Sequence, residues 1–305
     1  MTDIAQERAE RIAKEPFEAV GRAGGFFSGT LASLREIADH RQLLGLLVRR
    51  ELRARYKDSS LGLVWSLARP LSQLLIYYFA IGGILGLARQ IPSFAVFVFV
   101  GLTTWTLFTE IVSAGTTSIV NNSGLIKKVY LPREIFPLSA VGSGLFNYGA
   151  QFIILIGATV VFGEFPWHTD LAYVPLALAV VVVFGTAFAL LLSAVNVYLR
   201  DIQHLVEVVL TVLFWASPIV YSYSFVHATV GGTLLESIYL SNPMTVAILG
   251  MQKALWIAGS ASDAGTVWPP DLAIRLWVSL AIGVVLLWIG QRVFSRLQGN
   301  FAQEL

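Results

Sequence analysis

The chain reads as an all-α integral membrane protein. Six transmembrane helices are expected, with an N-terminal amphipathic interface helix and a re-entrant helix region on the extracytoplasmic side. Three observations predict this. Of the 305 residues, 56% are hydrophobic and 13% charged, and the mean hydropathy is +0.70. Soluble domains run at about 45–50% apolar and about 25% charged, so a soluble enzyme, a disordered chain and a nucleic-acid binder are excluded. Six stretches approach or exceed membrane-crossing length without any Asp, Glu, Lys or Arg. Lys and Arg also divide unevenly between alternate loops, which gives an orientation.

The first 61 residues hold 11 Lys and Arg and no leading apolar run. That pattern does not fit a cleaved signal peptide, and 1–61 is expected to be a retained cytoplasmic arm. Within it, 40–60 predicts an amphipathic helix. Leu43, Leu44, Leu47, Val48 and Ala54 fall on one side of a helical wheel, and Arg49, Arg50, Arg53 and Lys57 on the other. Such a helix lies in the interface, its apolar face in acyl chains and its cations among headgroups. A plain positive-inside anchor fits the same segment.

The charge-free stretches are 70–88, 90–109, 135–163, 171–199, 208–235 and 276–291. A crossing helix needs about 20 apolar residues. The spans are therefore placed at 62–87, 94–119, 135–162, 171–198, 205–223 and 272–293, forming one unit over 62–293. The last reaches length by taking in Ala273, Ile274 and a snorkelling Arg292. A tail, 294–305, follows. With the N-terminus inside, 17 of the 21 Lys and Arg face the cytoplasm, and Arg89, Lys253 and Arg275 face out. Both termini are expected in the cytoplasm, and the protein in the cytoplasmic membrane. Trp167 and Trp268 at outer boundaries and Trp65 at an inner one suit an aromatic belt.

Two kinds of connection depart from a plain bundle. The outer region 224–262 is too apolar for a solvated loop. Asn242 can cap a helix there and Pro243 suits its first position. Met244, Ala247, Ile248, Met251 and Leu255 then recur at helical spacing towards Gly259. This helix is too short to cross comfortably, so it is read as re-entrant or interfacial. Ala216-Ser217-Pro218 breaks the fifth span just before it. A seventh crossing is the alternative, and it would put Arg292 and Arg296 outside. On the inner side, 121–137 mixes apolar and basic residues between Gly124, Pro132 and Pro137, as a partner-docking surface helix does. The turn 198–204 is a second such segment.

Several chemistries are excluded. The chain has no cysteine, hence no disulfide, thiolate metal site or Cys nucleophile. No Gly-Lys dipeptide occurs, so no P-loop is present. The four histidines, His40, His168, His204 and His227, are isolated, and no metal site is expected. Ionisable groups within or beside the spans are Arg69, Glu110, Glu207 and Arg275, each a functional candidate because burying charge in lipid is costly. Arg69 and Glu110 could share a depth in the first hairpin and pair with each other. Glu110 is also the one carboxylate suited to proton coupling.

The run from Leu46 to Leu71 resembles the entry motif of ABC-2 type permeases that export polysaccharides. Arg53, Arg55, Tyr56, Ser59, Leu61, Gly62, Trp65, Pro70 and Leu71 stand in the matching places, and Glu51 replaces the commoner Asp. The stretch from Lys127 to Glu134 resembles that family's first coupling segment, and Asn242-Pro243-Met244 its outer helix start. Within the family the chain looks most like actinobacterial Wzm-type subunits that export lipid-linked galactan. The resemblance implies an ABC-2 exporter fold and a homodimer. It also implies two copies of a separate nucleotide-binding ATPase subunit, which would hold the ATP and Mg, with no cofactor in this chain. The implied substrate is a polysaccharide on a polyprenyl diphosphate carrier, galactan or O-antigen-like, and no nucleic acid partner is implied.

The cations Arg49, Arg50, Arg53, Arg55, Lys57 and Arg69 would then meet the diphosphate. Tyr77, Tyr78, Trp105, Phe108, Phe214, Trp215 and Tyr221 would line the channel, although each could equally be a packing or lipid-facing ring. Lys127, Lys128, Arg133, Glu134, Arg200 and Asp201 would couple to the ATPase. Asn242, Pro243, Met244 and Met251 would form an extracytoplasmic gate. The rival readings are an ABC-2 permease for a small molecule or drug, an ion-coupled secondary transporter, and a lipid-linked sugar transferase.

Overall fold

The computed structural model describes residues 35–56, 64–128, 131–161, 168–260 and 265–305. Lys57, Ser59, Leu61, Gly62, Tyr130 and Trp167 lie outside these, as do the side chains of Tyr56, Trp65 and Arg69. The described residues form helices and connecting turns, with no strand among them.

The main helices are α1 (Arg41–Tyr56), α2 (Val64–Tyr77), α3 (Phe94–Asn121), α4 (Ile135–Val161) and α5 (Tyr173–Tyr198). They continue as α6 (Ile202–Trp215), α7 (Tyr223–Val230), α8 (Leu234–Ser241), α9 (Pro243–Leu255) and α10 (Leu272–Leu297). Four of them are long and apolar enough to cross a membrane: α3, α4, α5 and α10. The first expected span is α-helical over Val64–Tyr77, with Pro70 inside it, and continues as π-helix over Tyr78–Ile84. The fifth is a shorter apolar helix, Ile202–Trp215. The α6 helix stops at Ala216-Ser217-Pro218.

At the centre α5 packs on α3 and α10, and α3 packs on α4. The α3–α5 crossing is close because Gly115 faces Ala189. A Cβ at Gly115 would come within 2.4 Å of the Ala189 Cβ. One apolar cluster fills most of the bundle, and a second one, with Leu47, Ile119, Ile135, Phe136, Phe294 and Phe301, closes the α1 end. Rows of exposed apolar side chains run along the outside, as on α10 at Ile274, Trp277, Val278, Ile282, Val285 and Ile289. An aqueous surface does not tolerate patches of that extent, whereas lipid does.

Two local expectations are corrected. The apolar face of α1 does not lie in acyl chains. Leu47 is 4% exposed and packs in the inner cluster, with Leu43 and Leu44 beside it. Ser139 and Ser143, one turn apart on α4, both donate to the Glu51 carboxylate. Gly142 between them admits Val48, because a Cβ there would lie 2.7 Å from Val48 Cγ2. Protein outcompetes lipid for this face because it supplies matched hydroxyls as well as apolar surface.

The second correction concerns α9. It is a 13-residue helix ending at Leu255, short of Gly259, and its burial among α3, α5 and α10 removes the interfacial alternative and leaves the re-entrant one standing. Its polar side chains serve the broken end of α6. Gln252 Nε2 donates to Pro218 O at 2.7 Å, Thr245 Oγ1 to Ala216 O at 3.5 Å, and Asn242 Nδ2 to Ser217 Oγ at 3.4 Å. Backbone carbonyls freed by a helix break must find partners inside an apolar bundle, and α9 provides them.

Candidate functional site

The helices α2, α3, α4 and α6, with the end of α1, wall a cleft of about 700 Å³. Helix direction sets its order. α2, α4 and α6 run away from the α1 end of the bundle, and α3 runs towards it. Arg55, Pro70, Glu110, Ser113, Asn147 and Glu207 therefore lie at the α1 end. Tyr77, Leu102, Trp105, Gln151, Phe214 and Trp215 lie towards the opposite end. The charged groups stand at one end and the aromatic ones at the other.

The charged end is built around Glu110. Its carboxylate pairs with the Arg55 guanidinium and accepts from Asn147 Nδ2 at 2.6 Å. The Glu110 side chain is 13% exposed, and a carboxylate that deep persists only when paired and hydrogen-bonded. The aromatic end is an interlocked set. Tyr77 stacks on Phe214 at 6.0 Å, and Trp105 meets Phe214 edge-on at 6.0 Å. Trp215 stands edge-on to Phe214 at 5.4 Å. Edge-on and offset rings are the favoured geometries, so the four rings brace one another along this wall.

The expected site residues divide accordingly. Arg55 lines the cleft. Arg49, Arg50 and Arg53 are exposed on α1, and Arg50 donates to Asn122 Oδ1. Lys57 and the Arg69 side chain lie outside the described residues, and Glu110 takes Arg55 as its ion-pair partner. Of the seven aromatics, Tyr77, Trp105, Phe214 and Trp215 line the cleft.

Phe108, Tyr78 and Tyr221 do not. Phe108 is buried against Phe188, and Tyr78 turns to Phe79 and Phe94. Both rings are taken up by neighbouring aromatics instead of the cleft. Tyr221 follows the Pro218 break and donates to Trp215 O at 2.8 Å.

Lys127, Lys128, Arg200 and Asp201 are exposed at the α1 end. Arg133 lies over the Phe301 ring at 5.7 Å. Glu134 is buried and accepts from Gln298 Nε2 at 3.4 Å. On α9, Asn242 Oδ1 accepts from Met244 N at 3.0 Å as a cap, Pro243 opens the helix, and Met244 and Met251 are buried.

A polar ladder in the same cleft was not anticipated: Gln73, Thr106, Thr109, Ser113, Asn147, Gln151 and Thr211. Its signal was present. Thr106, Thr109, Glu110 and Ser113 recur every three to four residues on α3, and Asn147 and Gln151 lie one turn apart on α4. A hydropathy average over a whole span hides so narrow a stripe. Among the described residues, no three His, Asp or Glu side chains stand close enough to hold a metal ion.

The ABC-2 type transporter pattern matches residues 42–256. The chain belongs to that family. The match runs from the first turn of α1 to the end of α9, so it contains the whole cleft. This ABC-2 protein is similar to the O-antigen export system permease protein RfbA of Myxococcus xanthus. They are 31% identical over 273 residues, which is 89% of the chain and 98% of the relative. It is also similar to RfbA of Klebsiella pneumoniae, 27% identical over 263 residues, 86% and 95% of the two chains. The polysialic acid transport protein KpsM of Escherichia coli is 25% identical over 241 residues, 78% of this chain and 89% of that one.

Proposed function

We propose that this chain is the transmembrane permease subunit of an ATP-driven exporter. Its cargo is a polysaccharide linked to polyprenyl diphosphate, galactan or O-antigen-like, moved across the cytoplasmic membrane. One observation carries the reading: a single cleft holds Arg55 and Glu110 at one end and the Tyr77, Trp105, Phe214, Trp215 wall at the other. An arginine suits a diphosphate, and aromatic faces suit the apolar faces of sugar rings. The names of the relatives support the same cargo class.

In this reading α2 and α6 complete six crossings, and two copies of the chain enclose the path. Two ATPase subunits, carrying ATP and Mg, push on the exposed Lys127, Lys128, Arg200 and Asp201. Both termini face the cytoplasm. α9 restrains the outer end through Gln252 and the α6 break, and its movement opens the exit. Arg55 delivers the carrier headgroup to the cleft, and the aromatic wall guides the glycan onward without fixing it.

The test is depletion of the chain in its host, followed by analysis of lipid-linked glycans. Accumulation of a long polyprenyl-linked polymer inside the cell is the expected result, and its composition decides between galactan and another glycan. Normal surface glycan with no accumulation would overturn the reading in favour of a small-molecule substrate.

A further inference from the structure

We propose that Gln151 and the ladder around it form a saccharide subsite that reads the hydroxyl groups of the glycan's carrier-proximal sugars. This inference rests on the polysaccharide-export reading and goes beyond it. The entry cations and the aromatic wall would treat all lipid-linked glycans alike, whereas this subsite distinguishes them.

Gln151 is 3% exposed, lies on the cleft wall, and its Oε1 has no hydrogen-bond partner. Among the described residues, no other cleft-lining side chain has a buried oxygen or nitrogen left in that state. An unpaired buried amide is costly in an apolar bundle. Its neighbours show that the cost is avoidable. Asn147, one turn away on α4, is engaged by Glu110. Thr211 satisfies its hydroxyl on Glu207 O at 2.9 Å and Thr109 on Thr106 O at 3.0 Å. Among the described residues, Gln151 Oε1 is the one buried polar side-chain atom of this cleft without a partner.

The position fixes the ligand class. Gln151 lies one turn beyond Asn147, on the aromatic side of the Arg55–Glu110 pair and beside the Trp105–Phe214 rings in the same cleft. A ligand whose anionic group rests at Arg55 therefore brings its next units to Gln151. An amide both donates and accepts, which matches vicinal hydroxyls on a ring whose apolar face lies on an aromatic. A mostly apolar site with a few fixed polar groups is how proteins orient such ligands. A bare polyprenyl diphosphate has no hydroxyl to offer there.

The chain is embedded with its ATPase partner in lipid nanodiscs. Equilibrium binding is measured for a polyprenyl diphosphate and for the same carrier bearing the glycan extracted from depleted cells. Wild type is expected to bind the glycosylated carrier more tightly, by about tenfold for one hydrogen bond pair gained. Gln151→Leu is expected to erase that preference while leaving the bare-carrier affinity unchanged and the melting temperature equal or higher, since an unpaired buried amide is removed. A merely structural Gln151 would instead lower the melting temperature.

If Gln151→Leu does lower it, Gln151→Met, of nearly equal length, is read by the same affinity ratio. A preference that survives the variant overturns the subsite, and so does a wild type that binds both carriers equally. Neither of those results touches the export reading. Failure of wild type to bind either carrier overturns the export reading itself.

Discussion

Glu110 draws in Arg55 from 55 positions away, and the pair shows how a charge is kept inside an apolar bundle. The carboxylate has a guanidinium and an amide on it, so it carries no bare charge. Arg55→Ala should lower export by about tenfold at matched protein level, the scale of one charge-assisted hydrogen bond. Arg55→Lys should fall between, since it keeps the charge and loses the planar fork. Quantified surface glycan checks both.

Glu236 makes a second residue-scale case. Its carboxylate accepts from His227 Nδ1 at 2.7 Å, from the Tyr223 hydroxyl, and from Gly232 N at 2.7 Å. The His227 contact first, then Tyr223 and Gly232, lower its pKa from 4.5 to about 2. A depressed carboxyl stabilises the fold above its unfolded value and loses that contribution as pH falls through its folded value. The α7–α8 hairpin should therefore resist protease from neutral pH down to 4.5 and open between 4.5 and about 2. Glu236→Gln should remove that transition.

Two neighbouring elements depend on unlike kinds of complementarity. α1 sits on α4 through Val48 in the notch at Gly142 and Glu51 on the two serines. Gly142→Val should destabilise by about 1–3 kcal/mol through overpacking, and Val48→Ala in the same chain should recover most of it. Thermal melting of the single and double variants measures this. The amphipathic pattern of α1 was legible, but the partner of its apolar face was not. Periodicity reports that a face is apolar, and both lipid and protein satisfy that. α9 differs again. Its cap and start were readable at Asn242-Pro243. Its burial was not, because Gln252 and Thr245 look out of place until the α6 carbonyls they serve are adjacent.

Across the whole molecule, the segments expected to meet the ATPase are joined to each other. Phe301 is fully buried against Phe294 and Tyr198, under the Arg133 guanidinium. The Tyr198 hydroxyl donates to Leu297 O at 2.8 Å, and Gln298 reaches Glu134. The tail thus ties the 131–135 connection to the α5–α6 turn. Phe301→Ala should cost about 3–5 kcal/mol and leave ATP hydrolysis less tightly tied to export. Measuring both rates on one reconstituted sample checks it. The cleft-lining aromatics were half legible for a related reason. Composition marks where rings are abundant, yet which neighbour each ring meets, Phe214 for Trp105 and Phe188 for Phe108, is set by the packed helices.

The sequence by itself determined the membrane class, the long apolar helices, the amphipathic pattern of α1 and the capped start at Asn242. These follow from local composition and periodicity, which one segment carries alone. Only the tertiary structure decided that Arg55 meets Glu110, that Gln151 stays unpaired beside the aromatic wall, and that α9 is buried under the broken end of α6. Each depends on which faces of separate helices converge, and that is set by close packing, notches such as Gly115 and Gly142, and the need of every buried polar group for a partner.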